Sequence, residues 1–361
     1  MSRPAQAIID LAALRHNYRL VNNIDPASQT MAVIKANGYA HGAVEVAQAL
    51  EGLAPAFGVS SIEEGLALRK AGITTPILLL QGLYNRDELQ IALIQHFWIV
   101  VQNQLQLQML TEAVLDKPLN VWLKVDTGMH RLGFQLSEAE QAYTALTQSS
   151  NVADNLVLAT HLACADELDN DFTHQQLVAF KQFCQGKPEQ TSIANSAGLL
   201  GWPEAKSDWD RAGLILYGAS PFLYEHEIAS QLQPVMTLKS GIIALRKVEK
   251  GERVGYGGIW QAQRQSLIAT VSIGYADGYP RVTANGTPVL VHGQKAPIAG
   301  RVSMDMIGVD VTDIHNVAIG DEVTLWGDSL NINEVAIGAQ TLSYDLLAGM
   351  PARVPRIYIN R

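Results

Sequence analysis

An eight-stranded parallel α/β barrel followed by a smaller, mainly β domain is the architecture this chain predicts, and three observations predict it. Eight short apolar runs alternate with helix-spaced segments over the first two-thirds of the 361 residues, the pattern of strands joined by crossover helices. Past about residue 235 the alternation stops, and β-rich runs broken by glycine turns take over. No Gly-x-Gly-x-x-Gly turn follows an early strand, which weighs against an open doubly wound sheet.

The barrel strands are read at Met31–Ile34, Phe57–Val59, Pro76–Leu80, Phe97–Val101, Val121–Val125, Leu156–Thr160, Thr191–Ala194 and Gly213–Tyr217. Helical spacing lies between them at Ala43–Leu50, Ile62–Ala71, Arg86–Gln95, Gln104–Leu115, Glu138–Gln148 and Asp171–Gln185. The second domain is read from Met236–Val248, Ser266–Ile273, Pro288–His292, Ile307–Val311 and Glu322–Trp326, with turns such as Gly255-Tyr256-Gly257-Gly258 between them. Residues 1–230 are therefore assigned to the barrel and 231–361 to the β domain, with the junction at Ser230–Pro234.

Composition narrows the function. A formal charge of −9 with no basic stripe excludes nucleic acid as the main partner. No apolar stretch reaches spanning length, and Met1-Ser2-Arg3-Pro4 leads into patterned sequence without a leader core. Two cysteines, Cys164 and Cys184, make no disulfide framework and suit a reducing compartment. A cytoplasmic protein without membrane partners is expected, with no metal site.

Ligand chemistry in such a barrel gathers where the strands end. Lys35 closes the first apolar run and opens the loop Ala36-Asn37-Gly38-Tyr39-Ala40-His41-Gly42. Carried inward by a buried strand, its ammonium is desolvated and its pKa falls, which makes an amine nucleophile or Schiff-base partner. Arg131 follows the fifth strand in Asp126-Thr127-Gly128-Met129-His130-Arg131, His161 ends the sixth, Asn195-Ser196 follows the seventh, and Arg211 adjoins the eighth. Singly these read as a core histidine, a helix cap and an ion pair with Asp210; it is their shared position at one mouth that makes them a site. An amine, a hydroxyl with helix-opening amides, a permanent cation, the glycine at 213 and the Tyr39 hydroxyl suit an aldehyde cofactor carrying a phosphate, pyridoxal 5'-phosphate.

Eight strings, in order along the chain, resemble the bacterial alanine racemase family: Ala32–Gly42, Leu123–Gly133, Asn195-Ser196-Ala197, Arg211–Gly218, Val254–Gly257, Gly274–Tyr279, Ser303-Met304-Asp305 and Arg353-Val354-Pro355-Arg356. The resemblance implies a pyridoxal-phosphate enzyme of fold type III that interconverts L- and D-alanine, as a homodimer with shared active sites. It implies that Lys35 holds the cofactor and is one base, and that Tyr256 of the other subunit is the second. Arg131 and Met304 would contact substrate. Tyr39, Ser196, Gly213 and Leu214 would hold the phosphate, Arg211 the pyridine nitrogen, and His161 would lie along the ring. Such an enzyme makes D-alanine for peptidoglycan precursors or degrades it, and the residues do not choose between these.

Residue physics alone leaves two points open. Tyr256 and Tyr275 both project from glycine-flanked turns, and only the resemblance selects Tyr256, leaving Tyr275 as a pocket or gate residue. Lys124 shares a strand face with Trp122 and Asp126, so it is either paired to an acid or carbamylated, as in some family members. Ala352 departs from relatives that place a tyrosine there, which leaves room for a broader substrate range. A decarboxylase on the same barrel is disfavoured by Arg211, and a non-catalytic cofactor carrier has no use for Tyr256.

Overall fold

Eight parallel strands close on themselves in the computed structural model, which describes residues 3–361. Met1 and Ser2, at the start of the segment read for a leader, lie outside the described residues. The barrel strands are Gln29–Val33, Phe57–Val59, Ile77–Leu79, Phe97–Val101, Val121–Asp126, Val157–Ala159, Gln190–Ser192 and Trp209–Ala212. Each pairs in parallel with the next, and the ring closes with Arg211 opposite Met31.

The barrel interior is a packed core of its own. Met31, Ala56, Leu78, Val100, Trp122, Val157, Ala159 and Trp209 fill it, with the Trp209 ring 5.5 Å from that of Trp98 and 5.7 Å from that of Trp122. These indoles pack the barrel interior, and Trp122 also forms part of the floor of a cavity lined by residues that follow the strands. A second, larger core lies between the barrel wall and the helices and runs on into the C-terminal domain.

The eighth strand departs from expectation. Trp209–Ala212 forms it, whereas Leu214–Tyr217, part of the run Gly213–Tyr217 read as that strand, is a 3-10 turn. All four residues of that turn are buried, and an unbroken apolar run does not distinguish a buried strand from a buried helical turn. The true strand was masked by its charges: Asp210 points outward, while Trp209 and Arg211 alternate inward. Arg211 thus sits on the strand and in the barrel, not beside it.

The C-terminal part is mainly β, built on the long strand Met236–Val248, which pairs with Glu322–Trp326 and Ser266–Val271. Gln6–Asp10 joins this sheet, antiparallel to Met236–Val248 and parallel to Arg356–Ile359. The chain's two ends therefore meet beside each other in the sheet downstream of the barrel. Arg356 secures the junction with four donated bonds: to Ala40 O at 2.9 Å, Pro351 O at 2.6 Å, Val354 O at 2.7 Å and Met350 O at 2.7 Å. The first of these reaches the loop after Lys35, so the Arg353–Arg356 string ties the second domain to the mouth of the barrel.

Candidate active site

The turn after the first strand is left-handed. Ala36, Asn37, Gly38, Tyr39 and Ala40 all take positive φ, between 49° and 63°. For the four residues with a Cβ this costs roughly 1–2 kcal/mol each, least for asparagine, so the surroundings must impose it. The His41 ring nitrogen Nδ1 lies 2.8 Å from Tyr39 O and 3.0 Å from Gly38 O, and Asn37 Oδ1 accepts from Ala43 N at 2.9 Å. The consequence is functional: Lys35 and Tyr39, four residues apart, both line one cavity of about 770 Å³ at the strand ends.

One side of that cavity gathers hydroxyl and amide groups around an opening at Gly213. Ser196 Oγ accepts from Gly213 N at 3.1 Å, and a Cβ built on Gly213 would stand 2.8 Å from Tyr39 Oη. Only glycine leaves that space open. The Tyr39 ring stacks on Tyr217 at 4.8 Å, and burial pushes its phenol up to about 12. It therefore keeps its proton at neutral pH and can donate it to an anion. The donors fit pyridoxal 5'-phosphate on these grounds of space and chemistry.

The opposite side is cationic. Arg211 is buried and donates to Thr160 O at 2.7 Å, Ile193 O at 3.1 Å and His161 Nδ1 at 3.3 Å. Because a guanidinium only donates, His161 Nδ1 accepts here and the imidazole carries its proton on Nε2. Burial, then the charges of Lys124, Arg211, Arg131 and Lys35, hold His161 well below its ordinary pKa, so it is neutral. Burial, then the Arg131 charge, lowers Lys35 as the strand reading requires. Lys124 is held far below a normal lysine by burial, then by Arg211 and Arg131. Asp126 does not neutralise it with an ion pair: its carboxylate accepts from Gly128 N, His130 N and His130 Nδ1, each at 3.0 Å.

Of the residues read from sequence, Lys35, Tyr39, Lys124, Arg131, His161, Ser196, Arg211 and Gly213 line this cavity. Leu214 is fully buried behind Gly213 and has only its backbone to offer. Tyr256, Tyr275 and Met304 do not line it; they are 70%, 39% and 53% exposed on the second domain. Ala352 is exposed as well, and Tyr344 and Ala348 of the helix Ser343–Ala348 supply that side of the cavity instead. Nothing in its local sequence separates Tyr344 from an ordinary helical tyrosine. Among the described residues there is no cluster of three or more potential metal ligands.

The alanine racemase N-terminal domain family matches residues 9–221, and the alanine racemase C-terminal domain family matches 235–358. The chain is 50% identical to an alanine racemase of Xanthomonas axonopodis pv. citri, over 99% of this chain and 97% of that one. It is 48% identical to a catabolic alanine racemase of Pseudomonas putida, over 99% of each. The crystal structure of the biosynthetic alanine racemase from Pseudomonas aeruginosa superimposes with a TM-score of 0.96 at 45% identity, over 99% of this chain and 100% of that one. Alanine racemase from Bartonella henselae, solved with covalently bound pyridoxal phosphate, gives 0.89 at 31% identity over 99% of each chain.

Proposed function

The chain belongs to the alanine racemase family, and from that membership we propose that it interconverts L- and D-alanine at this cavity, with Lys35 and Tyr256 as the two bases. The observation that carries the proposal is the meeting of a desolvated amine, a glycine-gated hydroxyl cradle and a donor-only cation at one barrel mouth. Pyridoxal 5'-phosphate, held by Lys35, supplies the electron sink that acidifies the Cα–H of a bound amino acid. Tyr39, Ser196 and the amides of Gly213 and Leu214 would hold its phosphate, and His161 would lie along its ring. Arg211, a group that can only donate, would face the ring nitrogen and leave it an unprotonated acceptor, which would make the cofactor a weaker electron sink.

Inversion needs proton removal from one face of Cα and return to the other. Lys35 serves the D-alanine face. Tyr256 is exposed and outside the cavity of its own chain, so it serves the cavity of a second copy, in a homodimer with shared sites. Met304 reaches substrate the same way, while Arg131 binds the substrate carboxylate from within the chain, and Tyr275 gates the entrance. Among the described residues no helix is long and apolar enough to cross a membrane, and both cysteines are free; we place the enzyme in the cytoplasm. Purified protein given L-alanine, L-serine or L-lysine is expected to bring L-alanine to an equal mixture of enantiomers, read by chiral chromatography. Unchanged L-alanine, or release of CO2, would overturn the assignment, while conversion of serine or lysine as well would mark a broader racemase.

Lys124 is assigned as a carbamate. The charges of Arg211 and Arg131 both act on it while Asp126 pairs with His130 instead, and a buried ammonium near two guanidiniums is costly. Held well below the ordinary lysine pKa, the group loses its ammonium proton, its free amine forms an N–C bond to CO2 and a second proton leaves to solvent, giving an anionic carbamate that both arginines can bind, fixing Arg131 for the substrate. Native mass spectrometry in bicarbonate buffer is expected to show a mass gain of one CO2, absent in Lys124→Met. No gain, together with an unmodified amine in electron density, removes the carbamate and leaves the racemase reading intact.

A further inference from the structure

Glu64 belongs to none of the roles above, yet it touches the turn on which they depend. It lies in the first turn of the helix Ile62–Lys70, with Ser61 as N-cap. A glutamate three residues into a helix ordinarily reaches back to the N-cap amide. Here one carboxylate oxygen accepts instead from Ser60 N at 2.7 Å, and the other crosses to Ala36 N, also at 2.7 Å. Ser60 follows the second barrel strand and Ala36 the first, neighbours paired at Val33 and Gly58. Ala36 is the residue at which the chain enters the left-handed turn, with φ +52°.

We propose that Glu64 is a positioning residue of the active site: its carboxylate bridges the ends of the first two barrel strands, holds the left-handed turn that carries Lys35 and Tyr39, and sets the charge that Lys35 meets. The proposal rests on the reading of Lys35 as the reactive amine. Bonds from amide donors to a carboxylate are about twice as strong as neutral ones, and two of them from one side chain oppose the strain of the turn at its first residue. The charges around Lys35 make the second role specific. Arg131, Lys124, Arg211 and the neutral His161 face it from the later strand ends, and Tyr39 shares its turn. Among the groups that act on the Lys35 charge, burial and Arg131 lower its pKa and Glu64 raises it. Glu64 thus opposes the depression that burial and Arg131 impose on the amine.

Two measurements test this, neither of which needs turnover. The first follows acetylation of Lys35 by acetic anhydride against pH, by peptide mass spectrometry, in the full chain freed of any bound aldehyde. Glu64→Gln removes the charge, so the reactivity midpoint is expected to fall by about one pH unit, the lower end of what a neighbouring opposite charge does. Glu64→Asp keeps the charge and is expected to hold the midpoint near that of the native chain. A midpoint unmoved in Glu64→Gln would overturn the charge role. The second reads amide hydrogen exchange in the native chain, so no variant has to fold. Ala36 is an exposed residue, and its N–H donates to Glu64. Its exchange is expected to be slowed at least about tenfold relative to an unprotected amide, in step with Ser60 N. Free exchange at Ala36 would overturn the clamp. If the midpoint shift and the protection are found but racemisation is not, the proposed activity fails while the role of Glu64 stands.

Discussion

Lys35→Ala is expected to abolish racemisation, with a loss of at least about 10⁴-fold in kcat, because it removes both the covalent attachment and one of the two bases. The purified native protein should be yellow, and borohydride should fix the mass of the reduced cofactor on the peptide that contains Lys35. In Lys35→Ala that label is expected to vanish, not to move. Lys124 makes the test discriminating: it lines the same cavity and its pKa is depressed even further. Were a low pKa and access sufficient, Lys124 would capture the aldehyde instead. What favours Lys35 is its place on the turn that also brings Tyr39 beside Gly213. Since the Lys35 pKa lies below that of an ordinary lysine, cofactor attachment should speed up as pH rises and level off below pH 10.5, where an ordinary lysine titrates. Label on Lys124 in native protein would overturn the assignment.

What the sequence discloses and what it hides divide along physical lines. Lys35, Ser196 and His161 are legible as lining of the cavity because each follows within a few residues of a strand, and strand ends in a closed barrel share one mouth. Glu64 is not legible in this way, because its signature is that of an ordinary helix start, and its bond to Ala36 joins residues 28 apart. The left-handed turn was only half legible. Asn37 and Gly38 tolerate positive φ, but Ala36 and Ala40 carry no such signal, and tertiary bonds from Glu64 and Arg356 hold them there. The eighth strand was displaced by a few residues because hydrophobicity marks burial, and the buried 3-10 turn at Leu214–Tyr217 is the more apolar neighbour of the charged strand. Pairing of Gln6–Asp10 with residues beyond 235 is a contact between distant parts of the chain, which no local pattern encodes. Nor does a single sequence tell on which copy a base acts; the resemblance carried that inference, and the exposure of Tyr256 gives it a physical footing.

Mixed dimers are expected to regain activity that neither parent has. Lys35→Ala and Tyr256→Ala homodimers should each be nearly inactive, the first lacking one base in both sites and the second lacking the other. If every site combines Lys35 of one subunit with Tyr256 of the other, a hybrid of the two variants contains one site with both residues missing and one site with both intact. Random re-pairing makes about half of all dimers hybrids, so activity should recover to roughly a quarter of the native value. Recovery should follow the hybrid fraction measured by native mass spectrometry. Tyr275 is the control, since it too is a glycine-flanked, exposed tyrosine of the second domain. Tyr275→Phe should leave proton exchange from L-alanine largely in place, whereas Tyr256→Phe should remove it while sparing exchange at the Lys35 face. The reverse pattern would exchange the two roles. Verified hybrids that recover nothing would place Lys35 and Tyr256 at work within one chain, and the second domain would then have to swing Tyr256 into a cavity from which this structure keeps it apart.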